Sequence, residues 1–255
     1  MAIHLATKIN MALQSWPSGT VGLSVWLEQM GISRQLQRHY QTTGWLESIG
    51  YGAFKRAGDS LDWPGGLYAI QKQALMAIHV GARTALSLQG QAHYLELNAQ
   101  VVQLFAPHKV NLPTWFQQHD WKLQPELCHT NFLPVRVGLI DFKSKLFTVQ
   151  VSGAARALME CLYLAPKQFD IVEAYQIMEG LATLRPATVQ QLLEGCRSIK
   201  VKRLFLFMAE KAGHAWVKHI DVSKIAMGHG KRSLVKGGHY VPKYEITVPR
   251  ELVRL

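Results

Sequence analysis

The stretch GISRQLQRHYQTTGWLESIGYGAFKRAG, residues 31–58, constrains the fold of this 255-residue chain more than any other segment. Ser33 can accept a hydrogen bond from a free amide at the start of a helix, and Gly44 suits the left-handed residue that often follows a helix. The alternating runs WLESI (45–49) and AFKR (53–56), joined through glycines, predict a β-hairpin. The segment is therefore expected to be a helix followed directly by a hairpin.

Two further helices are predicted upstream of this stretch. In residues 3–16, apolar side chains recur at three- and four-residue steps, which is one face of a helix. The proline and glycine of WPSG (16–19) end that helix, and Ser24 is expected to cap a second helix that reaches Met30. Three helices followed by a hairpin are the outline of a winged helix-turn-helix, whose last helix lies in the DNA major groove.

The third predicted helix carries side chains that suit base recognition. Leu36 and Tyr40 continue an apolar stripe from Ile32, so the arginines and glutamines are expected to face outward. Arginine pairs with guanine, and glutamine with adenine, through two hydrogen bonds each. Such residues are often merely solvated, but the complete order of turn, capped helix and hairpin favours DNA contact. The candidate recognition residues are Ser33, Arg34, Gln35, Gln37, Arg38 and Gln41, and the candidate wing residues are Tyr51, Lys55 and Arg56.

The rest of the chain mixes helix and strand patterns after a turn-rich linker at 57–66. Helices are predicted at 67–76, 112–121, 153–165, 170–184 and 186–196, and a short link followed by a helix at 78–90. Strands are predicted at 101–105, 132–142, 146–152, 214–225 and 244–249. The apolar run at 202–213 is too short to separate a strand from a buried helix. The expected fold class is α+β, with an N-terminal winged helix-turn-helix at 1–58 and a mixed α/β region at 59–255. A further division of the second region near 96–155 is the alternative.

Positive charge is concentrated at the C-terminal end of the chain. Residues 197–255 carry 13 basic and 4 acidic side chains, whereas the ten basic and ten acidic groups of residues 61–196 cancel. A localised excess of this kind is expected of a surface that meets a partner with many phosphates, although a solvated basic surface is the alternative. The candidates for contact with a DNA backbone or another partner are Lys200, Lys202, Arg203, Lys218, Lys231, Arg232 and Lys236.

The sequence contains no pattern expected of an enzyme or a metal site. Its 11 histidines form no short metal-binding spacing, and its three cysteines are far apart. GHGKRS (228–233) lacks the full phosphate-binding loop pattern. We therefore expect no catalytic residue, no metal and no organic cofactor. No apolar run approaches the roughly 20 residues that cross a bilayer, and the N-terminus does not resemble a signal peptide, so a cytoplasmic location without a membrane partner is expected.

Several blocks of the sequence carry a family resemblance. They are residues 10–56, which include GWLESIGYGAFKR, residues 62–73, residues 78–95, which include IHVGARTAL, and residues 230–249, GKRSLVKGGHYVPKYEITVP. These blocks resemble the AbiEi family, the antitoxins of type IV abortive-infection toxin–antitoxin pairs. The resemblance implies a winged helix-turn-helix that represses its own operon at inverted repeats in double-stranded DNA. It also implies a C-terminal region that counteracts a cognate nucleotidyltransferase-type toxin and takes part in promoter binding.

The resemblance assigns roles to individual residues of the chain. It places Ser33, Arg34, Gln37 and Arg38 on the recognition helix and Lys55 and Arg56 on the wing. IHVGARTAL is expected to form a packing seam of the middle region, without an assigned role for Arg83. The alternative to a DNA-binding repressor is a protein-binding module whose basic C-terminal surface docks an acidic toxin directly.

Overall fold

Residues 2–91, 101–144 and 146–254 are described by the structure, which is a computed structural model. The chain divides into two units. The first consists of Met1–His79, Gln100–Leu127 and Asp141–Gln150, and the second of Val80–Ala99, Cys128–Ile140 and Val151–Leu255. The first unit thus continues beyond the predicted domain boundary at residue 58. Residue 96, the start of the predicted further division, lies outside the described residues.

The first unit begins with three helices and a three-stranded antiparallel sheet. The elements are α1 (Ala2–Ser15), β1 (Gly22–Leu23), α2 (Ser24–Gln29), α3 (Arg34–Thr42), β2 (Leu46–Gly50) and β3 (Ala53–Arg56). The strand order is β1-β3-β2, and Leu23 lies opposite Ala53 while Leu46 lies opposite Arg56. This is the predicted winged helix-turn-helix, with the hairpin β2–β3 as the wing.

Apolar side chains from all three helices and the hairpin form the core of this winged helix. The buried residues are Ile9, Ala12, Trp16, Leu27, Ile32, Tyr40, Leu46 and Phe54. Ser33 caps α3 as predicted, because its hydroxyl accepts a hydrogen bond from the Leu36 amide at 3.3 Å. The prediction that Ser24 caps α2 is wrong: Leu23 is the cap residue, and Ser24 is the first residue of the helix.

The predicted linker is partly helical. Helix α4 (Trp63–Tyr68) begins inside it, since Pro64 at the first turn needs no amide donor, and a π-helical turn, Ala69–Gln73, follows. Gly65 has room only for a hydrogen, because a Cβ there would lie 1.9 Å from the Gly19 carbonyl oxygen. The side chain of Gln73 accepts a hydrogen bond from the Leu23 amide and donates one to the Val21 carbonyl, so it fixes the free edge of β1.

A five-stranded sheet follows in the chain, with order β6-β5-β4-β8-β7. Its strands and the two helices between them are β4 (His79–Val80), α5 (Ala82–Leu88), β5 (Val101–Ala106), α6 (Thr114–Gln118), β6 (Gln124–His129), β7 (Leu139–Ser144) and β8 (Phe147–Ser152). The predictions for β5 and β8 are confirmed, whereas only the end of 132–142 is a strand. The sequence does not predict edge strand β6, because Pro125 and its polar neighbours give no alternating pattern, although an edge strand tolerates proline.

Four longer helices follow β8 in the described part of the second unit, and the sequence patterns predict the first three of them. Its elements after β8 are α7 (Ala154–Leu164), α8 (Ile171–Gly180), α9 (Pro186–Gly195), α10 (Ile199–Lys211), β9 (Arg232–Ser233), β10 (His239–Val241), β11 (Ile246–Val248) and α11 (Glu251–Arg254). The ambiguous run at 202–213 belongs to α10. The strands form a small sheet of order β10-β11-β9, in which β9 and β11 are parallel.

The predicted strand at 214–225 is wrong. The segment forms two 3₁₀ helices, Ala215–His219 and Val222–Lys224. Its buried side chains are Trp216, Ile220 and Ile225, and their spacings of four and five residues are not the period of two that a strand requires.

A buried ion pair joins Arg156 and Glu160 within the second unit. The Glu160 carboxylate accepts hydrogen bonds from Arg156 Nε at 2.9 Å, Ser152 Oγ at 2.8 Å and the Ala82 amide at 3.0 Å. Arg156 also donates to the carbonyls of Pro134 and Val137. The contact with Ala82, whose φ is +46°, places IHVGARTAL against α7, consistent with its expected role as a packing seam.

Candidate nucleic-acid interface

The exposed face of α3 presents five polar side chains to solvent. They are Arg34, Gln35, Arg38, His39 and Thr42, and they share one face because an α-helix advances about 100° per residue. The cap residue Ser33 is also exposed. The sequence prediction omits His39. Its position, next to Arg38 and four residues after Gln35, nevertheless places His39 on this face.

Gln37 does not belong to that face, and the prediction that it points outward is wrong. Its side chain is only 2% exposed. The amide nitrogen donates to the carbonyls of Ser24 at 3.1 Å and Ile32 at 2.9 Å, and the amide oxygen accepts from Ser24 Oγ at 2.7 Å. Gln37 therefore joins α2 to α3. Gln41, one turn further along, is half-buried.

The two arginines of the exposed face differ in their contacts. Arg34 Nε lies 2.9 Å from Glu28 Oε1, and the Arg34 side chain is 69% exposed. An ion pair this exposed contributes at most about 1 kcal/mol, so Arg34 can exchange Glu28 for another partner at little cost. Within the described part of the chain, the Arg38 side chain is exposed and has no hydrogen bond or ion pair.

The two cations of the wing are bonded within the first unit. Lys55 Nζ lies 2.8 Å from Glu47 Oε2 and donates to the Asp59 carbonyl at 3.1 Å. The hydrogen bond from Lys55 is the main cause of a lowered pKa at Glu47. Arg56 donates to the Trp16 carbonyl at 2.9 Å. Both side chains are half-buried, so each already has partners within the unit.

The tip of the wing is supported from below by α6. Tyr51 at this tip is 95% exposed. A Cβ on the preceding Gly50 would lie 2.7 Å from Trp115 Cβ, and Trp115 is itself buried. The wing therefore rests directly on a helix that follows it by more than 60 residues in the sequence.

Four of the predicted C-terminal cations are exposed on the second unit. They are Lys218, Lys231, Arg232 and Lys236. Lys231 Nζ lies 5.2 Å from the centre of the Tyr240 ring, a distance at which a cation is attracted to an aromatic face. Arg232 belongs to β9, whose pairing with β11 holds its backbone in place.

The other three predicted cations are turned inward, and their assignment as exposed contacts is wrong. Lys202 and Arg203 are 3% and 2% exposed, and Lys202 donates to the Ala226 carbonyl at 2.9 Å. Lys200 is half-buried and donates to the carbonyls of Tyr163 and Ala165, and burial lowers its pKa.

Arg203 organises the segment that precedes the exposed cations. Its guanidinium donates to the carbonyls of Met227 at 2.9 Å, Gly228 at 3.0 Å and Gly230 at 2.7 Å. It also donates to the Glu245 carboxylate at 3.0 Å. The basic segment after α10 is therefore a loop built around a buried arginine.

The described residues form neither a metal site nor a membrane span. Within residues 2–91, 101–144 and 146–254, no group of three or more His, Cys, Asp or Glu side chains could hold a metal ion. Over the same part of the chain, no helix has the length and apolar character needed to cross a membrane.

The fold and the exposed helix face define a winged-helix protein with an additional α/β region. The chain belongs to the AbiEi family. A family model described as "Transcriptional regulator, AbiEi antitoxin N-terminal domain" matches residues 5–97, and one described as "Transcriptional regulator, AbiEi antitoxin, Type IV TA system" matches residues 99–249. The resemblance found in the sequence is thereby confirmed, and the protein is a member of a family of transcriptional regulators and antitoxins.

Comparison with solved structures supports the fold. The crystal structure of the RV2827C protein from Mycobacterium tuberculosis matches with a TM-score of 0.58 at 14% sequence identity, and the match covers 98% of this chain and 94% of that chain. A comparison with curated proteins gave no match.

Proposed function

We propose that this protein represses its own operon by binding inverted repeats in the promoter through α3. The observation that carries the proposal is the exposed polar face of α3, which includes Arg34, Gln35 and Arg38. The opposite face of the helix is buried against the core through Gln37 and Tyr40. The family's description as transcriptional regulators supports the same function.

The proposed mode of reading combines base contacts from α3 with phosphate contacts elsewhere. An α-helix fits the major groove, and an arginine there forms two hydrogen bonds with the N7 and O6 atoms of guanine. Arg38 is suited to this contact because its guanidinium has no partner in the described part of the chain. Arg34 gives up only an exposed ion pair when it binds. Phosphate contacts fix orientation without reading sequence.

Arg38→Ala is expected to weaken binding by about 1–3 kcal/mol at one base pair of the operator, because the variant cannot form the two hydrogen bonds to guanine. A gel-shift series over single-base operator variants measures this. The wild-type protein discriminates at that base pair, and the variant does not. Lys72→Ala is the control, since Lys72 is a cation on the π-helical turn of the same unit, away from α3 in the sequence. A weakening that is equal on every operator variant contradicts base reading by Arg38.

The exposed cations of the second unit are proposed to contact DNA phosphates. Lys218, Lys231, Arg232 and Lys236 are accessible, and neutralising phosphates with such cations makes binding depend on salt. The family is also one of antitoxins, and we propose that the partner toxin is a nucleotidyltransferase encoded beside this protein. Direct docking of an acidic toxin on the same cations is the alternative use of this surface.

The double change Lys231→Ala and Arg232→Ala separates these two uses. If both cations meet phosphates, affinity falls to a similar extent on all operator variants, and the salt slope flattens by about one for each cation removed. Binding titrations at several salt concentrations measure the slope. Lys224→Ala, which removes an exposed cation already paired with Asp221, is the control. If the double variant keeps the wild-type salt slope of DNA binding and the toxin no longer co-purifies with it, the surface is assigned to the toxin instead.

A further inference from the structure

We propose that Tyr51 is the residue through which the wing contacts DNA, by placing its ring in the minor groove beside the site of α3. This inference rests on the proposed DNA-binding function and assigns the wing contact to an aromatic side chain. Of the three candidate wing residues, it selects the one whose contact would sense the shape and chemistry of the groove.

The position of Tyr51 is the first argument. Gly50 and Ala53 are paired, so Tyr51 and Gly52 form a two-residue turn at the outermost point of the hairpin. The Tyr51 side chain is 95% exposed. A tyrosine ring is largely apolar, and full exposure leaves its roughly 150–250 Å² of surface available for burial by a partner. Among the described residues, the Tyr51 side chain has no hydrogen bond or ring contact, so its ring is available as a contact surface.

The turn that carries Tyr51 is held on both sides. The Gly52 carbonyl accepts a hydrogen bond from the Ser24 amide at 2.8 Å, which ties the turn to the start of α2. Gly50 has a φ of +153° and packs so closely on Trp115 that a Cβ would have to displace it. The backbone around Tyr51 is therefore fixed before DNA arrives, and little conformational entropy remains to be lost when the ring is buried.

The other side chains of the wing do not compete for this role. Lys55 and Arg56 are bonded to Glu47 and to the Trp16 carbonyl. Of the exposed residues on β2, Glu47 is repelled by phosphates, and the Ser48 hydroxyl already donates to the Gly50 carbonyl. Tyr51 is thus the wing residue that is both exposed and uncommitted within the described part of the chain.

The chemistry of the minor groove matches a tyrosine. When a helix occupies the major groove, a neighbouring segment can reach the adjacent minor groove, and proteins that enter this groove often do so with apolar side chains. The phenol hydroxyl can donate to adenine N3 or thymine O2, whereas the guanine 2-amino group projects into the same space. Tyr51 is therefore expected to favour A·T pairs at the positions that flank the α3 site.

Base analogues test the groove that Tyr51 occupies. Substituting 2,6-diaminopurine for adenine adds a minor-groove amino group, and substituting inosine for guanine removes one, while both leave the major-groove edge unchanged. With the full-length protein, diaminopurine at the flanking positions is expected to weaken binding several-fold. Tyr51→Ala is expected to bind the natural operator about tenfold more weakly and to lose this sensitivity, whereas Tyr51→Phe keeps most of the affinity because it keeps the ring.

The matched control is Arg38→Ala, which leaves the wing intact. It is expected to remain sensitive to diaminopurine at the flanks and to lose its response to 7-deazaguanine in the α3 site. If Tyr51→Ala binds the natural operator with wild-type affinity and keeps the wild-type sensitivity to diaminopurine, the proposal for the wing is overturned. The proposed role of α3 is unaffected by that result. Absence of operator binding by the wild-type protein itself overturns the proposed function and with it the inference about Tyr51.

Discussion

Replacing Glu160 with leucine is expected to lower the free energy of unfolding by about 3–5 kcal/mol, the cost of removing one partner from a buried ion pair. Glu160 and Arg156 side chains are 1% and 6% exposed, so water cannot replace the missing carboxylate. The variant also leaves the Ser152 hydroxyl and the Ala82 amide without their acceptor. Urea denaturation followed by tryptophan fluorescence measures the change.

A second Arg–Glu pair in the same unit provides the control. Arg83 Nη2 lies 2.6 Å from Glu173 Oε2, but both side chains are 34% exposed. Glu173→Gln is therefore expected to cost no more than about 1 kcal/mol. In a double-mutant cycle, Arg156→Met should cost much less in the Glu160→Leu background than in the wild type. Equal costs in both backgrounds, or a Glu160→Leu effect as small as that of Glu173→Gln, contradict the importance of the buried pair.

Arg203→Met is expected to release the loop that precedes Lys231 and to lower stability by about 3 kcal/mol. The change removes hydrogen bonds to the carbonyls of Met227, Gly228 and Gly230 and leaves those groups unsatisfied. Trypsin is expected to cleave the variant rapidly after Lys231 and Arg232. Hydrogen exchange is expected to show faster exchange over 226–232.

Lys202→Met is the matched control for Arg203→Met. It removes an adjacent buried cation whose hydrogen bond to this loop is to one group, the Ala226 carbonyl. Its effect on the loop is therefore expected to be smaller. Lys243→Met removes an exposed partner of Glu210 and tests for a general effect of charge. If Arg203→Met leaves trypsin cleavage and hydrogen exchange as slow as in the wild type, the loop is held by other contacts.

The winged helix can be predicted because its signals are local. The cap at Ser33, the glycine at 44 and the two-residue turn at Tyr51 each act over a few residues. Gln37 is misplaced by the sequence pattern because a buried amide is recognised only by its partners, here Ser24 and the Ile32 carbonyl. Helical geometry does offer a warning, since residues 36, 37 and 40 share one face.

The basic C-terminal region shows the limit of reading charge from a sequence. Lys202 and Arg203 contribute to the same excess as Lys231 and Arg232, yet the first two are buried by carbonyls that lie 24 to 27 residues further along. Only tertiary structure brings such acceptors together. The charge of the sequence therefore identifies a region that carries exposed cations. It cannot distinguish those exposed cations from the buried ones that hold the region's backbone in place.

The close contact between Gly50 and Trp115 has a consequence for recombination between related genes. The two residues fall in different family matches, 5–97 and 99–249, although they meet within one unit. A crossover at the border between these matches would combine the β2–β3 hairpin of one parent with helix α6 of another. Any residue bulkier than glycine at position 50 would then tilt the wing. The two segments should therefore be inherited together.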